Sequence, residues 1–302
     1  MSNRATQSSR RGLWLATAVS LVAAPTAFAE EEDVFRSWIS PVSSPTNFED
    51  PRATAEVRPL FVYHMLSEDF VSDGGDIYIG AVQARLAIGD RLGIIATKDG
   101  YVWINSDANI PDSNGWANLA FGAKYSVWRD PETQTIATLG LRYEAPSGSK
   151  DVFEGQGDGI LNPFLSAGWG CGNFHLLGYT GARLPISGAD SAFFDLSLHA
   201  DYKLGMFYPL LEWNWVHVLD GGRRVPIDQE GFDFFNLGAR DAGGNDVVTM
   251  AAGGRIRPWD HIEWLGGRVG SIDFGAAYEF PLTHEGDVFG GRLTADVVIR
   301  FW

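Results

Sequence analysis

The sequence predicts an all-β chain, a closed antiparallel transmembrane β-barrel of about twelve strands with short periplasmic turns and long external loops. Three observations carry that expectation. Apolar and polar or small residues alternate with a period of two from residue 54 to the C-terminus. The joins between alternating segments are by turns short and long, and aromatic residues collect near both ends of the apolar faces.

Composition narrows the alternatives. In 302 residues, 45% hydrophobic content and 13% aromatic content exclude wholesale disorder. The formal charge of −15 argues against a nucleic-acid partner, which needs a basic surface. A single cysteine excludes a disulfide framework and multi-cysteine metal sites, and no cofactor or metal is expected. Beyond the N-terminus no apolar run approaches the ~18 residues of a membrane helix.

Residues 1–29 read as a cleaved signal peptide. Arg4, Arg10 and Arg11 precede an apolar stretch from Gly12 to Ala24, and Ala27-Phe28-Ala29 is a small-x-small cleavage site. Loss of those three arginines takes the chain from −15 to −18. Residues 30–52 open with Glu30-Glu31-Glu32-Asp33, continue through Pro41 and Pro45, and read as a periplasmic extension, a flexible tail in the first place with a short plug as the alternative.

The barrel is expected over 53–302. Its segments lie near 54–66, 76–89, 92–104, 116–128, 134–145, 160–170, 173–184, 192–204, 206–218, 246–257, 267–280 and 289–302. In 194–204, Phe194, Leu196, Leu198, Ala200, Tyr202 and Leu204 oppose Asp195, Ser197, His199, Asp201 and Lys203, so one face is apolar and the other wet. In 117–127, Ala117, Leu119, Phe121, Ala123, Tyr125 and Val127 share the apolar face. Short joins at 89–91, 129–133, 170–173 and 205–206, with a longer one opening at Pro258-Trp259-Asp260, alternate with long joins at 67–75, 105–115, 146–159, 185–191, 219–245 and 281–288. With an even strand number both termini fall on the short-turn, periplasmic side.

Tyr125, Trp169, Phe174, Tyr202, Phe207 and Phe301 sit beside short turns or the C-terminus, and Tyr78, Tyr143, Phe194, Trp215 and Phe280 beside long loops. Two amphipathic girdles around an aliphatic middle fit a membrane and its lipopolysaccharide better than a sandwich core. Lipid offers backbone amides no partner, so the last strand must meet the first. That strand ends on Phe301 and Trp302, which resembles the outer-membrane assembly signal and makes the barrel assembly machinery an expected partner. The alternation leaves the orientation of Trp302 unassigned.

Gly115-Trp116-Ala117-Asn118-Leu119-Ala120-Phe121-Gly122-Ala123-Lys124-Tyr125, then Leu139 to Ala145 running into Pro146-Ser147-Gly148-Ser149, then Gly155-Gln156-Gly157-Asp158-Gly159 and Leu161-Asn162-Pro163, form the most distinctive stretch. It resembles the outer-membrane transporter family labelled "MetA-pathway of phenol degradation", which shares a G-x-x-x-L-x-x-G-x-K-Y strand, a Pro-Ser/Thr-Gly turn and a Gly-x-Gly loop. The resemblance covers well under a quarter of the chain. It implies passage of small molecules, apolar or aromatic ones included, across the outer membrane of a Gram-negative cell, and no catalytic residues.

Strand parity turns Glu56, Arg58, His64, Gln83, Arg85, Asn118, Lys124, Arg142, Glu144, His175, Tyr179, Arg183, Asp195, His199, Asp201, Lys203, Glu212, Asn214, Arg255, Asp273, Glu279, Arg292, Asp296 and Arg300 inward. Arg58, Arg85, Arg142, Arg183, Arg255 and Arg292, set against Asp195, Asp201, Glu212, Asp273 and Asp296 with His199, are the candidate selectivity residues. No serine motif accompanies His199, so an enzyme is not expected. Phe232, Phe234 and Phe235 in the 219–245 loop form an apolar cluster that water would not keep exposed, and are expected to fold into or over the mouth and gate it. Acidic loops holding Glu68, Asp69, Asp73, Asp107, Asp112 and Asp151 lack metal-loop spacing. The functional expectation is a channel or facilitator for passive passage of small molecules through a mixed-charge lumen. The alternative is a structural or surface-interaction barrel with a closed lumen.

Overall fold

The computed structural model describes residues 33–302 except 234, 265–267 and 284–287. The expected signal peptide and Phe234 therefore lie outside the described residues. The chain runs β1 (Ala55–Met65), β2 (Gly75–Ile88), β3 (Leu92–Lys98), β4 (Tyr101–Ser106), β5 (Ser113–Trp116), β6 (Leu119–Asp130) and β7 (Thr135–Ala145). It continues with β8 (Ile160–Cys171), β9 (Phe174–Pro185), β10 (Ala192–Tyr202), β11 (Phe207–Asp220), β12 (Asp246–Trp264), β13 (Arg268–Pro281) and β14 (Gly291–Phe301).

All pairings between the strands are antiparallel, and β1 pairs with both β2 and β14, the latter from Ala55↔Phe301 to Met65↔Gly291. That last pairing closes the sheet and removes the edges lipid would leave unsatisfied. β3 and β4 are halves of one wall strand, as are β5 and β6, so the wall has twelve staves. The break replaces the uninterrupted 92–104 and 116–128 segments expected from alternation. At its centre Gly100 takes φ +111°, where an added Cβ would sit 2.6 Å from the Gly80 carbonyl oxygen. The Asp99 carboxylate accepts the Val82 N–H at 3.1 Å, standing in for the missing ladder bond. Beside the break Ala117 is buried, against its outward parity.

β12 also differs. It continues through Pro258, Trp259 and Asp260, where a turn was expected, because two register shifts absorb the proline that cannot donate to the ladder. The tight turns keep left-handed glycines, Gly172 at φ +62° and Gly205 at φ +64°.

The outer surface carries Phe61, Val82, Ile88, Leu119, Phe121, Leu139, Leu141 and Leu211, each between 45% and 54% exposed. Inside, Arg58, Arg255 and Arg300 are at most 1% exposed. This polarity is inverted relative to a water-soluble fold, where a continuous apolar belt would aggregate and arginines would face solvent. The girdle residues Tyr125, Trp169, Tyr202 and Phe207 are exposed near the short turns. Trp302 stacks on the Arg36 guanidinium, 5.3 Å from ring centroid to carbon.

Candidate functional site

The inward residues named from parity are buried in the barrel, apart from the half-buried Glu144 and Lys203. They do not line an open path, because two segments occupy the interior.

The first is the N-terminal segment. The 30–52 stretch, expected to trail from the barrel as a periplasmic tail, is from residue 33 onward lodged within the wall. Phe35, Trp38, Ile39, Val42, Phe48, Glu49 and Asp50 are all at most 2% exposed. A tail of this composition stays in water only if nothing receives it, and here the wall supplies a partner at nearly every step. At the short-turn end Asp33 meets Arg129 at 2.5 Å, and a single 3₁₀ turn spans Val34–Ser37. Arg257 donates to the Arg36 and Trp38 carbonyls at 2.7 and 2.9 Å and pairs with Asp273 at 2.6 Å. Deeper in, Arg255 reaches the Ser40 carbonyl at 2.9 Å and Arg58 the Pro41 carbonyl at 2.8 Å, while both hold Asp296.

The tip of the segment turns at 42–48. The Glu212 carboxylate accepts the Val42 and Ser43 N–H groups at 2.8 and 2.6 Å. Glu212 also holds His199 at 2.6 Å, His199 holds Asp201 at 3.0 Å, and Asp201 holds His175 at 2.8 Å. His199 is thus clamped between Asp201 and Glu212, whereas Asp195 pairs with Arg183. Gln83 donates to the Pro45 carbonyl at 2.7 Å and Arg142 to those of Thr46 and Asn47. On the return limb Glu49 receives Arg85 at 2.8 Å and Lys124 at 2.6 Å. Arg52 ties the limbs together, donating to Asp50 and to the Phe35 and Trp38 carbonyls at 2.9 and 2.8 Å. We refer to 33–54 as the plug.

β8 makes room for it. Gly168 and Gly170 face inward beneath Trp38, and a Cβ on Gly168 would lie 2.4 Å from the indole. Trp38 also packs on His175, with centroids 5.4 Å apart.

The second segment is the β11–β12 loop, 221–245. Phe232 and Phe235 are buried against Val216, Val218, Val247 and Phe193 of the upper wall, inside the mouth. Arg183 bonds Asp195 and donates to the Phe232 carbonyl at 2.6 Å. Arg292 grips Asp233 at 2.7 and 2.9 Å. Burial alone would raise the Asp233 carboxyl, but the Arg292 guanidinium outweighs it and holds the group below the usual carboxylate range. Glu230 staples the loop, accepting the Leu237 and Ala239 N–H groups and the Ser191 hydroxyl. On the neighbouring 146–159 loop, burial pushes Glu154 up despite Lys98 beside it.

Between plug and loop lies a cavity of about 50 Å³, lined by Pro45 and Thr46 below, Asp233 and Phe235 above, and Leu60, Val62 and Lys98 at the side. It admits a few water-sized molecules, not an organic solute. Among the described residues no cluster of histidine, cysteine or carboxylate groups has the makings of a metal site.

Parity reasoning named Arg255 but not Arg257, the last residue of the expected 246–257 segment, and missed the plug residues Glu49, Asp50 and Arg52. The inward Gly168 and Gly170 are the signal that could have pointed to an inserted segment.

No known protein-family profile matches the chain, and no curated protein matches it. Solved structures do. An outer membrane channel from Pseudomonas putida F1 superimposes with a TM-score of 0.54 at 14% identity, over 87% of this chain and 100% of the other. The NanC porin superimposes with a TM-score of 0.50 at 8% identity, over 82% and 99%. At such identities the likeness is one of fold, the closed membrane-spanning barrel.

Proposed function

We propose that the chain is an outer-membrane channel for small polar molecules, closed in the described conformation by the plug and the 221–245 loop. Passage requires one or both to move. The observation that carries this reading is how the interior is filled. A structural barrel of this girth needs its own side chains packed across it, whereas here an N-terminal segment and a loop fill it, held by hydrogen bonds and ion pairs around buried apolar side chains. Most of these bonds involve a charged group and are worth about 1.5–3 kcal/mol each, but none belongs to the strand ladder, so displacement does not require unfolding the wall. The fold it shares with an outer membrane channel supports the same reading. Apolar or aromatic solutes, which the family resemblance implies, would meet a charged wall around the plug, and polar ones are favoured.

Planar-bilayer recording of the refolded chain tests the proposal. Discrete conductance steps, enlarged when 225–240 is deleted, are expected. Silence of both the full chain and the deletion across applied voltages favours the structural, closed-lumen alternative.

A further inference from the structure

The bonds between wall and plug run almost entirely one way. Among the described residues eight wall side chains donate to plug carbonyl oxygens, while Glu212 alone accepts plug backbone N–H groups. The asymmetry concentrates on β2, β6 and β7. Arg85 and Lys124 converge on the Glu49 carboxylate, and Arg142 on two successive carbonyls. Most wall cations have a wall carboxylate as well: Arg58 and Arg255 have Asp296, and Arg257 and Arg300 have Asp273. Among the described residues Lys124 and Arg142 have none. The buried Nε of Arg142 has no hydrogen-bond partner among the described residues. Lys124 is also seated deliberately, since its stem crosses Gly93, where a Cβ would come within 3.0 Å of Lys124 Cε.

Take the plug away and the wall presents two buried cations without a counter-charge, beside an arginine that must share Glu56 with Arg300. Uncompensated charge in a narrow lumen is costly, and something must replace the oxygens removed. We propose that the plug is an internal stand-in for the solute. The solute class is a small anion carrying several oxygen acceptors, such as a hydroxylated carboxylate, received by Arg85, Lys124 and Arg142. Its carboxylate takes the place of Glu49 and its further oxygens take the places of the Thr46 and Asn47 carbonyls. This rests on the channel reading and deepens it.

The test uses the full chain in planar bilayers under a potassium chloride gradient, as wild type and as Glu49→Gln, which loosens the plug. Expected are discrete steps carrying chloride over potassium by about threefold or more, reduced by added gluconate. Both properties should disappear in Lys124→Gln combined with Arg142→Gln. Steps without anion preference, or indifferent to the double substitution, overturn the inference and leave the channel reading standing. Silence in wild type, Glu49→Gln and the 225–240 deletion alike overturns both, and where the deletion alone conducts its selectivity is read in the same way. If the double variant fails to fold, Ser43→Cys in a Cys171→Ser background decides instead. The tip thiol should react with an anionic methanethiosulfonate about tenfold faster than with a cationic one, and equal or reversed rates overturn the inference.

Discussion

Gly168 shows how much hangs on the absence of a single carbon. An inward glycine on a barrel strand weakens the strand unless something needs the space, and here Trp38 does. Gly168→Val should unseat the plug without opening the wall. We expect trypsin to reach Arg52 in the folded variant and not in wild type, and thermal stability to fall by about 1–3 kcal/mol. The pair Asp233 and Arg292 makes a second prediction at this scale. The folded-state pKa of Asp233 lies below its unfolded value of 3.8, so its contribution to holding the loop is complete above that value. It is lost as the pH falls through the lowered pKa. Glu154 has the opposite sign: its pKa is raised above 4.5, so its contribution is complete below 4.5 and fades as the pH rises through the raised value. Open probability should therefore climb on strong acidification, and Asp233→Asn should give that raised level already at neutral pH. An acid response that persists in Asp233→Asn would place the trigger elsewhere.

The strands were legible in the sequence because alternation is a property of each strand alone. Phe194 to Leu204 reads inside and out correctly with no knowledge of its neighbours, and so do the lumen residues from Glu56 to Arg300. The strand breaks and bulges were not, because they depend on partners. Asp99 reads as a polar interruption until Val82 is known to donate to it, and Pro258 reads as a turn until β13 is known to slip past it. The plug was illegible for the same reason in stronger form. Residues 33–54 have no period, since their partners come singly from β1, β2, β6, β7, β11 and β12. The 221–245 loop was easier to place, because a phenylalanine cluster declares its own need for burial. The distinction predicts different behaviour on removal. Deleting 225–240 strips apolar contacts from Phe193, Val216 and Val218, so the upper wall should lose more thermal stability than the lower wall loses with Glu212→Gln, which weakens polar contacts only, the grip on two plug amides and the pairing with His199. Differential scanning of both variants in one detergent compares them directly.

For the molecule as a whole, the inverted polarity sets what medium it can live in. Leu139 and Leu141 on β7 face outward at about half exposure, while Arg142 on the same strand is buried. Leu139→Lys should cost about 2–4 kcal/mol in lipid if it sits near the bilayer midplane. The wild-type chain should form a heat-modifiable barrel only when detergent or lipid is present. A monodisperse wild-type monomer in plain buffer would contradict the assignment of the outer face.

The plug ends at Thr54 and β1 begins at Ala55, with no spacer between them. A displaced plug is therefore leashed to the lip of its own socket, and recapture competes with any visitor at a local concentration on the order of millimolar, however dilute the protein. Openings should then be brief flickers whose lifetime ignores protein density in the membrane. Inserting a flexible stretch of Gly and Ser after Thr54 would lengthen each flicker by lengthening the leash.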